Sequence, residues 1–167
     1  MPDLDSVLAA NRAAVDELVR AAEAAHSNWT TPRAPGKWSP SQVVEHVALV
    51  LEEGGNVVAG RPTKLPTLPA LVRPLAKLMF NRAVKTGRFP KARTNKAMDP
   101  PKGPASPAEA GARLEAGLAK FEEACRARAS AGDVVVSGAF GRVSVEHYAR
   151  FTEIHTRHHT KQIPVVL

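Results

Sequence analysis

Residues 144–162, S-V-E-H-Y-A-R-F-T-E-I-H-T-R-H-H-T-K-Q, constrain this chain more than any other stretch. On a helical wheel, at about 100° per residue, Glu146, Arg150, Glu153 and Arg157 share one side. Tyr148, His155 and His159 fall on the opposite side, flanked by Val145, Phe151 and Ile163. Two histidines therefore occupy the middle of the face expected to be buried. Four positions apart, they are offset by only about 40°, so both rings point the same way, one turn apart. At this spacing two imidazoles on a helix can share one metal ion. The plainer alternative is a hydrogen-bonded core pair. Against it, two unpartnered imidazoles are costly to bury in an apolar seam.

The 167 residues suffice for one domain with a sizeable core, and a hydrophobic fraction of 44% places the chain among globular proteins. No internal repeat or low-complexity linker divides it, so residues 1–167 are expected to form a single domain. No apolar run approaches the length of a membrane span. The N-terminal M-P-D-L-D-S-V-L lacks the basic-then-apolar order of a signal peptide. Cys125 is the only cysteine, which excludes an intrachain disulfide and fits a cytoplasmic location. It also excludes a site of several thiolates, leaving nitrogen and oxygen as metal ligands.

The net charge of +7 is unevenly placed. Residues 61–102 hold eleven Lys and Arg against one acid, Asp99, so this segment is basic and the rest of the chain is slightly acidic. Such asymmetry can mark nucleic acid, phospholipid head groups or a phosphorylated substrate. The segment has only Phe80 and Phe89 as aromatics and no nucleic-acid motif, so a solvated basic surface is the reading adopted.

Apolar periodicity predicts a first helix over residues 4–26. A second starts at Ser39, with Pro40 at its first position and Gln42 completing a capping box. Its apolar face carries Val43, Val47, Val50 and Val57, and His46 sits in that stripe. Glu53 lies two turns below His46, offset by about 20°. The Gly- and Pro-rich residues 54–69 read as a loop. A third helix is expected over residues 70–86, with Leu75, Leu78, Met79 and Val84 inward and Gly87 as its stop. Residues 88–105 read as a long loop. Ser106-Pro107-Ala108-Glu109 is a second capping box, opening a helix to about residue 129 with Leu114, Leu118, Phe121 and Cys125 inward. The run Val134-Val135-Val136 is too short to imply a sheet, and Ser144 caps the last helix.

Four main helices with polar connections imply an all-α antiparallel four-helix bundle. If the second and last helices are neighbours, His46 meets His155 and His159, and three imidazoles plus water form an open site for Zn²⁺ or Ni²⁺. His158 is the alternative to His159, nearer the edge of the face. The ion would acidify a water or hold a thiolate. Glu53 is then the candidate general base, Tyr148 the candidate proton donor or pocket wall, and Gln162 the candidate orienting group. Two other classes compete. One is a metal-free small-ligand binding or interaction module with a buried histidine network. The other is a nucleic-acid or anionic-surface binder acting through residues 61–102.

P-G-K-W-S-P-S-Q-V-V-E-H-V, F-G-R-V-S-V-E-H-Y and H-T-R-H-H-T-K-Q-I together resemble the DinB/YfiT-like superfamily, and the F-G-R-V-S…H-x-x-H-H-x-x-Q tail resembles a DinB-related subgroup of unknown function. The resemblance spans nearly the whole chain. It implies an up-down-down-up four-helix bundle, often a homodimer, with a three-histidine metal site carried here onto His46, His155 and His159. It further implies a small-molecule substrate and either metal-dependent hydrolysis or transfer to a low-molecular-weight thiol.

Overall fold

The computed structural model describes residues 3–90 and 94–164, and among these four of the five α-helices start on a short polar side chain. The Asp3 carboxylate accepts the Ser6 N–H and opens α1 (Leu4–Ala24). A 3₁₀ turn, His26–Asn28, follows, so the helix ends two residues before its expected limit. At α2 (Pro40–Ala59) the predicted capping box forms in full: the Ser39 hydroxyl accepts the Gln42 N–H, and the Gln42 amide oxygen accepts the Ser39 N–H. Next comes α3 (Arg73–Thr86), stopped by Gly87 at φ 66°. Ser106 caps α4 (Pro107–Ser130) on the Glu109 N–H. The Glu109 carboxylate, however, takes the N–H of Ala105 rather than that of Ser106, so the second box closes one residue early. Ser144 caps α5 (Val145–Thr160) on the His147 N–H.

Residues 54–59 are not loop. Helix α2 continues through Gly54 and Gly55 to Ala59 because those glycines let α4 approach closely. A Cβ on Gly55 would stand 3.4 Å from the Phe121 Cα, and one on Gly117 would stand 3.2 Å from the Ala48 carbonyl oxygen. The close crossing buries Val47, Val58, Leu114 and Phe121 between the two helices. On the other side α1 packs along α5. Asn11, 1% exposed, donates its amide to the carbonyls of Val7 and Ala149 and so ties the two helices together.

Among the described residues the chain forms five α-helices and one two-stranded antiparallel sheet. The sheet corrects the all-α expectation. Val134–Ser137 (β1) pairs with Gly141–Ser144 (β2), with Val135 opposite Val143 and Gly141 at φ 69° in the turn. Two further expectations are overturned. On α3 the buried side chains are Phe80 and Ala83, while Leu75, Leu78 and Met79 are exposed. The helix rests on the rest of the protein through an aromatic cluster, Phe80 against Phe140 and Phe151, which selects the ring and turns the leucines outward. On α5 the charged side is only partly wet: Glu153 is buried and ion-paired with the partly exposed Arg150 and Arg157, and Arg157 also reaches Glu17 on α1. No helix among the described residues is long and apolar enough to cross a membrane.

Candidate metal centre

Three imidazoles converge where α2 meets α5. His46 lies in the buried stripe of α2 with Val43 and Val47, and His155 and His159 stand one turn apart on α5; all three histidines are buried. The Nε2 atom of His155 lies 3.2 Å from Nε2 of His46 and 3.1 Å from Nε2 of His159. These three residues can each turn one ligand atom to a common point. An ion bound at about 2.0–2.1 Å to tetrahedral nitrogen ligands spaces those ligands about 3.3–3.4 Å apart, so the observed separations are within a few tenths of an ångström of a metal site's.

The outer nitrogens decide which way the lone pairs face. His46 donates Nδ1–H to the Met98 carbonyl, at 2.6 Å. His159 donates Nδ1–H to Oε1 of Gln162, at 3.1 Å. Both rings must then present bare Nε2 atoms to the centre. Gln162 is itself oriented: its amide Nε2 donates to His158 Nε2, at 3.2 Å. His155 has no such partner, and its Nδ1 is buried without a hydrogen bond.

Without a cation, one His155 Nε2–H would have to serve two acceptors, and Nδ1 would remain an unmet lone pair. With a cation, all three Nε2 lone pairs are satisfied and only the His155 Nδ1–H is left over. The donor set therefore fits a divalent ion better than it fits a closed hydrogen-bond network.

Electrostatics point the same way. Burial pushes His159 down to about 3, helped by neighbouring His46 and opposed by Gln162. Burial, then the charges of the other rings, holds His155 well below the usual imidazole range. Burial lowers His46 too, against the pull of the Met98 carbonyl and Asp99. All three rings are thus neutral near pH 7, the form in which imidazole ligates metal.

The centre opens into a cleft of about 1080 Å³ that reaches past α3 to the hairpin. Trp38 forms one wall, its ring centroid 4.7 Å from that of His46, and its indole N–H is fixed on the Asp99 carboxylate. Phe89 stands edge-on to His155 at 4.9 Å, with Phe80, Phe140 and Phe151 beyond. Tyr148 and Gln162 also line the cleft, and burial raises the Tyr148 phenol above its ordinary value.

The structure therefore brings His46, His155, His159, Tyr148 and Gln162 to one cavity. It does not bring Glu53 there. The Glu53 carboxylate accepts the Thr63 hydroxyl, the Lys64 N–H and the Asn56 amide, which fixes the loop leaving α2. Burial raises its carboxyl, but those hydrogen bonds outweigh burial and hold it below the ordinary carboxylate range. His158 stands one link outside the cluster, as the partner of Gln162. Sequence reasoning missed Trp38, Phe89 and the Met98 carbonyl. The loop carrying Met98 is tied to α2 by the Gln42 amide on the Pro100 carbonyl, and its length was the only hint of that role.

Together these features define a helical protein with a buried three-histidine centre at the head of an aromatic-walled cleft. The chain belongs to the DinB superfamily, whose family model matches residues 7–163. No curated protein and no solved structure gives a significant match.

Proposed function

We propose that this chain is a metal-dependent enzyme that holds a divalent ion, zinc or nickel, on His46, His155 and His159 and acts on a small molecule bound in the adjoining cleft. The observation that carries the proposal is the convergence of three Nε2 atoms with the outer nitrogens of His46 and His159 already engaged. Bound there, the ion would supply Lewis acidity to a water or a thiol, which accommodates either hydrolysis or transfer to a low-molecular-weight thiol. The residues of the chain do the rest. Met98 and Gln162 hold two rings in register. Trp38 and Phe89 keep bulk water off the ligand atoms. Tyr148 lines the cleft and its raised phenol keeps its proton, which supports assigning it as the donor to a leaving group. The up-down-down-up bundle, the homodimer and the cytoplasmic location expected from the sequence remain part of this reading.

Elemental analysis of protein purified without a histidine tag tests it. About one ion per chain, lost in His155→Ala, supports the proposal. No metal even after zinc or nickel is supplied refutes it, and leaves a metal-free binding module with a buried histidine network. An activity screen of esters, amides and thiol-plus-electrophile pairs, with and without chelator, then separates the two reactions.

A further inference from the structure

We propose that the outer face of α3 docks on an anionic lipid bilayer surface. Among the described residues, the exposed large hydrophobic side chains are Leu71, Val72, Leu75, Leu78 and Met79, with Val136 the one outside this short stretch. Leu71 is 95% exposed, Leu78 64% and Leu75 58%. Leu71, Leu75 and Leu78 are spaced four and three residues apart, so they form one line along the helix and its leading turn. This line is opposite Phe80 and Ala83, which anchor α3 to the protein. Scattered apolar side chains on a surface need no explanation, but a continuous stripe on one helix does.

The next turns of the same outer face are cationic. Arg82 and Lys85 continue the stripe, and Arg88 follows the helix. None of the three forms an ion pair among the described residues, although Glu146 lines the same surface hollow as Lys85. From residue 61 to residue 98 the sequence contains no acid.

An apolar stripe next to unpaired cations is the pattern of a helix that lies in a membrane interface: apolar side chains enter the acyl boundary and cations meet the head groups. A second copy of this chain fits less well. An isologous contact through this face would bring two basic segments together, with Glu146 the one carboxylate among the residues lining that hollow beside them. Nucleic acid would account for the cations but not for the leucines. Phe80 on the inner side of α3, with Ala76 and the exposed Met79 on its flank, also walls the cleft, so docking sets the cleft beside the lipid surface.

The docking face does not depend on the metal reading, and its test makes no use of activity. The full-length protein is sedimented with phosphatidylglycerol vesicles, with phosphatidylcholine vesicles and with random-sequence DNA, at low and high salt. The proposal expects binding to the anionic vesicles that weakens with salt. Arg82→Ala/Lys85→Ala should lower it by about twenty-five-fold, taking about fivefold per charge. Leu75→Ser/Leu78→Ser, at exposed positions that leave the core intact, should lower it roughly tenfold or more. No binding to anionic vesicles at low salt overturns the proposal, as does binding to DNA or vesicles that the leucine double variant leaves unchanged. Light scattering that shows a dimer broken by Leu75→Ser/Leu78→Ser, without vesicle binding, assigns the face to a second copy instead.

Discussion

Removing the Gln162 side chain tests the metal centre without touching a ligand. In Gln162→Ala, the His159 Nδ1–H loses its acceptor. His159 is itself 5% exposed, so a replacement partner must enter through the half-buried space that Gln162 leaves. An unmet buried donor that no water reaches costs about 1–3 kcal/mol, equivalent to a factor of about 5 to 150. The ring also becomes free to adopt the other tautomer, which would place a proton on the ligating Nε2. The ion-free ring escapes the unmet donor by this change of tautomer, whereas the ion-bound ring cannot. The cost therefore falls on the ion-bound form, and zinc affinity should drop about 10- to 100-fold, the range usual for an outer partner of a ligating histidine. Competition against a chromogenic chelator at pH 7.5 measures it. Gln162→Glu keeps an acceptor on Nδ1 and should bind at least as tightly as the parent. His158→Ala should weaken binding less than Gln162→Ala, because it loosens the amide without removing it and the half-buried His158 position admits water. Equal affinity for parent and Gln162→Ala, within a factor of about two, would refute the assignment of His159 as a ligand oriented from behind.

Acid should destabilise the chelator-treated protein. An unfolded imidazole takes a proton near 6.5, whereas folded His159 resists protonation down to about 3. Between those values the unfolded state binds more protons, so stability falls as pH falls, by up to about 1.4 kcal/mol per pH unit for each such ring. His46 and His155 are shifted in the same direction, and urea midpoints at pH 7 and pH 5 measure the combined loss; a midpoint that rises on acidification contradicts the burial of neutral rings. The Cys125 thiol, fully buried and pushed up to about 12 by burial and then by Glu122, should resist iodoacetamide at pH 8 and react only in denaturant. Gly103→Ala would put a Cβ 2.0 Å from the Ser41 carbonyl oxygen, so the loop must leave the start of α2. A loss of about 1–3 kcal/mol in thermal unfolding is expected. Weaker metal binding should accompany it, since the same loop carries the Met98 carbonyl.

Legibility in the sequence followed the side chains. Ser39, Ser106 and Ser144 announce three helix starts because an N-cap is a local bond between a hydroxyl and a backbone N–H two or three residues on. The His155–His159 pair is equally local, and the apolar stripe of α2 placed His46 on the correct face. What failed was tertiary. Periodicity identifies a face of α3 but not which face the protein wants. Leu75 and Leu78 form the more apolar stripe, yet Phe80 finds the partners, Phe140 and Phe151, and those lie sixty or more residues away. The second strand, Gly-Arg-Val-Ser, offers one apolar residue and merges into a helix cap, so its pairing with Val134–Ser137 had no signal of its own. Glu153 read as a solvated charge because burial of an ion pair depends on the neighbouring helix that covers it. The same distinction runs through the metal centre. Gln162 could be nominated because a side chain marks it, whereas the partner of His46 is the carbonyl of Met98, and every residue has a carbonyl. The ligands of a histidine site are written in residue types, but the backbone half of the shell that aims them is written only in the fold.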